Sequence, residues 1–207
     1  MGDAKWMREL MYWTRRKLFV VGLALFAGVL VGAIGVAQPP AMLEPPKTLL
    51  LIRHAEKPAS GMDLSPAGFE RAKVIPQLFG GERGAAPHNL PRPDFLFATH
   101  VSKNSNRPVE TITPLSAALG LPISHEIDDK DFATLAKELL GGKYAGKVVL
   151  VAWHHGSIPG LAKALGAVPP YDPWPETQFD RVWRIDFVDG KVTLTDLAQG
   201  LMPGDSK

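Results

Sequence analysis

An arginine and a histidine, Arg53 and His54, come directly after the four apolar residues 49–52. That run has no polar break and is too short to demand a helix, which is typical of a strand buried on both faces. Ligands bind at the carboxyl ends of strands in open α/β sheets, where these two side chains fall. A neutral imidazole is a competent nucleophile, and a guanidinium is a fixed cation shaped for phosphate. The pair therefore indicates attack on phosphorus, with an ordinary polar loop as the alternative for these two residues alone.

Two further polar clusters follow apolar runs that predict strands. Residues 102–107 come after the run 94–98, and His154 with His155 ends the strongest strand signal, residues 147–153. The ends of parallel strands share one edge of a sheet, so that edge would gather two histidines and two arginines. Each cluster is a weak signal by itself, and their conjunction is a much stronger one.

Helix signals alternate with these strands. Pro66, Pro108 and Pro159 each stand in the first turn of a predicted helix, the position at which proline is tolerated best. A hairpin signal at Asp189-Gly190 lies between the last two apolar runs. Strands that alternate with helices predict an α/β three-layer sandwich with a mainly parallel central sheet, and the final hairpin predicts an antiparallel edge.

The first 37 residues predict an export segment outside the globular fold. A cationic stretch precedes residues 18–37, which form an uncharged run long enough to span a bilayer as a helix, and residues 14–19 resemble a twin-arginine signal. A cleaved signal peptide and an uncleaved membrane anchor both fit this pattern. Either one places the remainder outside the cytoplasm, periplasmic or membrane-anchored. Residues 38–47 then form a proline-rich linker, and residues 48–207 form the domain.

Composition excludes several kinds of site. The chain has no cysteine, so disulfides, thiolate metal sites and cysteine nucleophiles are absent. The export segment carries five positive and two negative side chains while the whole chain has a formal net charge of +2, so the domain is nearly neutral. A nearly neutral domain gives no electrostatic case for nucleic acid. No H-E-x-x-H pattern is present either, and we expect no metal or other cofactor.

Four ordered segments resemble those of the histidine phosphatase superfamily, which has the phosphoglycerate mutase-like fold. They are L-I-R-H-A-E-K-P at residues 51–58, L-S-P-A-G-F-E-R-A at 64–72, R-P-V-E-T at 107–111 and V-L-V-A-W-H-H-G at 149–156. The resemblance covers residue 48 to about residue 196. In addition, F-D-R-V-W-R-I at 179–185 and L-M-P-G-D at 201–205 resemble the tail of a small exported branch.

The resemblance implies a role for each matching residue. His54 would attack phosphorus and become a phosphohistidine, which water then hydrolyses. Arg53, Arg107 and a second histidine would bind the three equatorial oxygens of the phosphoryl group by electrostatic preorganisation. No metal is needed for this chemistry. The resemblance thus implies a metal-independent phosphoric monoester hydrolase.

The second histidine and the general acid are open choices. The family pattern of histidine followed by glycine favours His155, and His154 would then line the rim of the pocket. If the strand stays extended, neighbouring side chains point to opposite faces and only one of the two can face phosphate. Glu126 is the candidate acid, among carboxylates that include possible helix caps at Asp128 and Asp129. Lys57 contacts substrate or, alternatively, forms a solvated salt bridge.

The leading hypothesis is an exported phosphatase for a phosphomonoester, which could be a phosphorylated small molecule, an envelope sugar phosphate or a phosphoprotein. No long insertion for a large cap domain separates Arg53 from Arg107, so an open pocket is expected. A phosphomutase of the same fold is one alternative. A non-catalytic phosphate-binding or scaffold domain is another. The sequence does not indicate an oligomeric state.

Overall fold

The structure, a computed structural model, describes residues 44–79 and 90–206. The predicted export segment and most of the proline-rich linker lie outside these described residues. Within the described part of the chain, no helix is both long enough and apolar enough to cross a membrane.

Six strands form one mixed sheet in the order β3-β2-β4-β1-β5-β6. The first four strands in that order run parallel to one another. Strand β5 is antiparallel to β1, and β6 is antiparallel to β5. This arrangement confirms the predicted mainly parallel sheet with a hairpin edge. Only two residues of β3 pair with β2. The strands are β1 (Thr48–Arg53), β2 (Phe95–Ala98), β3 (Ile123–Ser124), β4 (Val148–Trp153), β5 (Arg181–Val188) and β6 (Lys191–Ala198).

Four α-helices connect the strands in the described residues: α1 (Pro66–Val74), α2 (Arg107–Leu119), α3 (Phe132–Leu140) and α4 (Ile158–Ala164). Helix α1 begins where the sequence predicts, because the Ser65 hydroxyl accepts a hydrogen bond from the Gly68 amide at 3.1 Å. Helix α2 runs through Pro114 and ends at Gly120, whose φ of 67° suits glycine. A short 3₁₀ turn, Asp129–Asp131, precedes α3.

Both faces of the sheet are covered by helices, as expected for a three-layer sandwich. Alternate side chains of β1 and β4 point to opposite faces. One face packs on α3 and α4, through the buried side chains of Leu49, Leu51, Val149, Val151, Leu135, Leu139 and Leu161. The other packs on α2 and the turn after α1, through Leu50, Ile52, Leu150, Ile75, Ile112 and Leu115. Each such aliphatic side chain contributes about 1.5–3 kcal/mol by leaving water, so the two central strands are firmly held.

The register of the central pair sets the position of the functional residues. Arg53 at the end of β1 pairs with Trp153 at the end of β4. The amide of His54 then donates to the carbonyl oxygen of Trp153 at 3.0 Å. His54 and His154, the next residues of the two strands, therefore leave the sheet at the same level.

Candidate active site

His54 is buried and held as one tautomer. Its ring Nδ1 lies 2.7 Å from the carbonyl oxygen of Ala55, and a carbonyl only accepts, so Nδ1 carries the proton and Nε2 keeps its lone pair. Burial lowers the pKa of His54 to about 2; the Ala55 hydrogen bond opposes this shift, and the nearby His154 and Arg53 add to it. The ring is therefore neutral and its free nitrogen is nucleophilic.

The chain after His54 is fastened to the start of α2. The amide of Ala55 donates to the Thr111 hydroxyl at 2.9 Å, and that hydroxyl donates to the carbonyl oxygen of Arg107 at 2.7 Å. Glu110, which directly precedes Thr111, accepts a hydrogen bond from the Leu64 amide at 2.8 Å. The R-P-V-E-T segment thus holds the backbone beside the candidate nucleophile and also supplies Arg107.

Arg53 is a buried cation with donors to spare. It is 1% exposed, and its Nη1 donates to the carbonyl oxygens of Pro175, Glu176 and Gln178 at 3.1, 2.6 and 3.1 Å. The guanidinium stacks 3.8 Å from the centre of the Phe179 ring. Burial lowers the pKa of Arg53 to about 10, which leaves it charged at neutral pH. Its buried Nε and Nη2 have no partner among the described residues, so both can donate to an anion.

Arg107 is the second arginine of the site. Its Nη1 donates to the carbonyl oxygens of Gly61 and Met62 at 2.9 and 3.3 Å, while its buried Nε has no partner among the described residues. Burial lowers the pKa of Arg107. The side chain lines a cavity of about 350 Å³ together with His154 and His155. This cavity, which we call the small cavity, therefore gathers three of the predicted site residues.

His154 and His155 both line the small cavity, but of the two only His154 makes a ring contact with His54. The two ring centroids are 5.2 Å apart and the rings are nearly perpendicular, at 71°. Burial lowers the pKa of His154, and the carboxylate of Asp129 opposes the shift. Burial and the charge of Arg53 lower the pKa of His155 to about 4, and its buried Nδ1 has no partner among the described residues. Which of the two binds phosphate stays a prediction.

Asp129 is the carboxylate of the small cavity. Its Oδ1 is buried without a partner among the described residues, and its Oδ2 lies 3.1 Å from the Lys130 ammonium. Trp153 Nε1 donates to the backbone oxygen of Asp129 at 3.1 Å, which fixes this turn against the end of β4. The sequence offers Asp129 as one of several carboxylates near Glu126, and equally as a helix cap. Glu126, the acid that the sequence favours, is exposed and lines neither of the two cavities at the site.

A larger cavity of about 900 Å³, which we call the large cavity, is lined by Glu176, Gln178 and Phe179, three residues that contact Arg53. Phe179 lines it, stacks on Arg53 and has its ring centroid 6.0 Å from that of His54. Lys57 and Glu176 are exposed on its wall. None of the ion pairs in the described residues involves Lys57, so the expected salt bridge is not seen there.

No grouping of three or more histidine, aspartate or glutamate side chains in the described residues could hold a metal ion. The cationic and imidazole groups that line the small cavity suit an anion, and the carboxylate of Asp129 stands among them. The arrangement can therefore bind an anion such as a phosphoryl group beside Arg107, and the charges of Arg53 and Arg107 both act on the adjacent His54.

No family model and no curated protein matches the chain. Similar solved structures include a variant of phosphoserine phosphatase from Entamoeba histolytica bound to phosphoserine, at 14% identity over 75% of this chain and 99% of that chain, with a TM-score of 0.49. Another is the alpha-ribazole phosphatase from Shigella flexneri, at 15% identity over 77% and 100%, with a TM-score of 0.44. A third is a mycobacterial glucosyl-3-phosphoglycerate phosphatase, at 13% identity over 76% and 100%, with a TM-score of 0.45. All three are phosphatases, the class that the sequence motifs indicate, but likeness at this level carries no conclusion about the activity of this chain.

Proposed function

We propose that the protein is a metal-independent phosphatase that hydrolyses phosphomonoesters through a phosphohistidine on His54. The observation that carries this proposal is a buried, neutral His54 with a free Nε2 beside two arginines that have unused buried donors. A buried guanidinium normally has its donors satisfied, so the unused ones mark a place for a ligand. A tetrahedral dianion with several acceptor oxygens fits them.

In the proposed first step, the Nε2 lone pair of His54 forms a bond to phosphorus while the bond from phosphorus to the leaving oxygen breaks. Charge shifts among the phosphoryl oxygens during the transfer, and the donors of Arg53 and Arg107 are already in place to stabilise it. The Nδ1–H bond to the Ala55 carbonyl stabilises the positive charge that develops on the imidazole. No metal is required for any of these contributions.

We assign the second phosphate-binding histidine to His154, although the His-Gly pair favours His155. The support for His154 is its ring contact with His54 and the register that brings both residues to the same level of the sheet. A donor at this position would bind the third equatorial oxygen. His155 is the alternative, because it lines the same cavity and its Nδ1 is unpartnered in the described residues.

We assign the general acid to Asp129 in preference to Glu126. Asp129 would give a proton to the leaving oxygen as that bond breaks, and its carboxylate would then accept a proton from the water that attacks the phosphohistidine. The second step breaks the bond between nitrogen and phosphorus, releases inorganic phosphate and restores neutral His54. The buried, unpartnered Oδ1 in the small cavity supports this role.

The large cavity would hold the group esterified to phosphate. Its volume of about 900 Å³ accommodates a bulky leaving group, and the exposed charges of Lys57 and Glu176 favour a polar one. A phosphorylated sugar or another phosphorylated small molecule fits this description, and a phosphoprotein side chain is the alternative. The charged and then apolar first 37 residues lead us to propose that the protein acts outside the cytoplasm.

Trapping the covalent intermediate tests the proposal. The full-length protein is quenched during turnover of a panel of labelled phosphomonoesters, with and without a chelator. We expect an acid-labile, base-stable phosphoryl group on His54 and activity that survives chelation, with none in His54→Asn. Phosphate on another residue, or activity that chelation abolishes and a divalent ion restores, would contradict the mechanism. Transfer to a second hydroxyl instead of phosphate release would identify a mutase, and a phosphoenzyme without turnover would identify a binding domain.

A further inference from the structure

We propose that residues 199–206, which we call the C-terminal segment, position the phosphoryl site. This inference rests on the proposed function. The segment lies far from His54 in the sequence, yet it makes two separate connections to the site. One passes through Arg71 and Glu56 to the backbone after His54, and the other passes through Phe179 to Arg53.

Arg71 is the centre of the first connection, and each of its three nitrogens contacts a carboxylate. Nε and Nη2 contact the Glu56 carboxylate at 2.8 and 2.7 Å, and Nη1 and Nη2 contact the Asp205 carboxylate at 3.0 and 2.7 Å. The remaining Nη1 donor goes to the Gln199 side-chain oxygen at 3.0 Å. Two ion pairs on a 5% exposed arginine hold the two carboxylates at fixed positions, because losing either one leaves buried Arg71 N–H groups without an acceptor.

Asp205 folds the C-terminal segment around Arg71. Its Oδ2 accepts hydrogen bonds from the amides of Leu201 and Met202 at 2.9 and 3.1 Å. Burial would raise the pKa of Asp205, but its hydrogen bonds from Arg71 and the Met202 amide keep that pKa below the ordinary value. The carboxylate is thus charged and saturated with donors, so the segment keeps one conformation against Arg71.

Glu56 carries the constraint to the nucleophile. It directly follows Ala55, whose carbonyl oxygen fixes the tautomer of His54. The backbone of Glu56 is held from its other side by Gly68, where an added Cβ would stand only 2.3 Å from the Glu56 carbonyl oxygen. Glu56 therefore has no room to shift toward α1, and the ion pair with Arg71 keeps it from moving away.

Gln199 makes the second connection. It is fully buried, and its side-chain amide donates to the carbonyl oxygens of Phe179 and Arg181 at 3.3 Å each. Its backbone amide donates to the carbonyl oxygen of Asp180 at 2.7 Å. Phe179 is the residue whose ring stacks on the Arg53 guanidinium. The C-terminal segment thus fixes the aromatic ring on which the Arg53 guanidinium stacks.

The Asp205→Asn variant of the full-length protein tests the inference, because it keeps the shape of the side chain and removes its charge. We expect kcat to fall roughly 10- to 100-fold through misplacement of the reacting groups, with vanadate affinity reduced in parallel. Nitrogen-15 spectra of the imidazoles should show His54 leaving its single Nδ1–H tautomer. Glu70→Gln is the matched control, since it breaks only the exposed α1 ion pair with Lys73, and should stay within about two-fold of wild type.

A segment that only adds stability would give a different result. Asp205→Asn would then melt at a lower temperature, but the folded variant would keep wild-type kcat, vanadate affinity and His54 tautomer, and that outcome overturns the inference. If Asp205→Asn does not fold, Asp205→Glu replaces it: the charge is kept, and a smaller loss in the same three measurements is expected. The tautomer measurement needs no turnover, so it judges this inference even if the wild type forms no phosphohistidine and the proposed function fails.

Discussion

Keeping His54 neutral inside the fold should weaken the protein in acid, and His54→Asn should remove that weakness. The asparagine amide can take the place of Nδ1 and donate to the Ala55 carbonyl, so the local hydrogen bond survives the change. Asparagine does not titrate. The comparison of the two proteins therefore isolates the proton that the imidazole would bind.

The expected size follows from the two pKa values of His54. The pKa is about 2 in the folded protein and about 6.5 in an unfolded chain. Between these values the unfolded chain binds one more proton, so the free energy of unfolding falls by about 1.4 kcal/mol for each pH unit below about 6.5. At about pH 5 the loss is about 2 kcal/mol. His154 and His155 act in the same direction, but they are present in both proteins and cancel from the difference.

Urea unfolding of the full-length wild type and of His54→Asn, at about pH 7.5 and about pH 5, measures this difference. The variant should lose about 2 kcal/mol less than the wild type between the two conditions. His100→Asn is the control, because it removes an exposed imidazole. It shows how much the replacement of any histidine by asparagine changes the loss of unfolding free energy between the two pH values. An equal loss in wild type and His54→Asn would refute the assignment of a buried, neutral nucleophile.

Four other substitutions test the acid, the second histidine and the packing behind the proposed nucleophile. Asp129→Asn should lower the single-turnover rate of phosphoenzyme formation about 10²-fold for alkyl phosphates but only slightly for p-nitrophenyl phosphate, whose leaving oxygen needs no proton; equal losses in this step would exclude Asp129 as the acid. His154→Ala should lower kcat by on the order of 10²–10³, and His155→Ala only a few-fold; the reverse result would assign the role to His155. Gly68→Ala places a methyl group against the Glu56 carbonyl and should destabilise the fold by about 1–3 kcal/mol in urea unfolding; an unchanged midpoint would show that the backbone yields there.

The sheet and helices were predictable because their signals are local. Strands β1 and β4 are continuous apolar runs, as buried parallel strands usually are, and α1 and α2 begin at prolines preceded by polar residues. The edge at β3 was less predictable, since its length depends on how far the chain runs alongside β2. Local patterns do not carry that information.

The site was predictable only where it coincides with strand ends. The expectation that one histidine alone faces phosphate assumed that β4 stays extended, but the strand ends at Trp153 and both histidines line the small cavity. The position of Asp129 depends on a turn that is held by a hydrogen bond from Trp153, which lies 24 residues further along the chain. The contact between Arg71 and Asp205 joins residues 134 positions apart and has no sequence period that would reveal it.

The direct pairing of β1 with β4 separates the parts of this protein that can diverge in evolution from those that cannot. His54 and His154 are kept level by backbone hydrogen bonds between two central strands, which depend little on side-chain identity. Peripheral features such as β3, or the exposed side chains of Lys57 and Glu176 on the large cavity, can therefore change without moving the two rings. Descendants of such a protein can acquire new leaving-group preferences by replacing such exposed side chains while inheriting the same proposed phosphoryl-transfer centre.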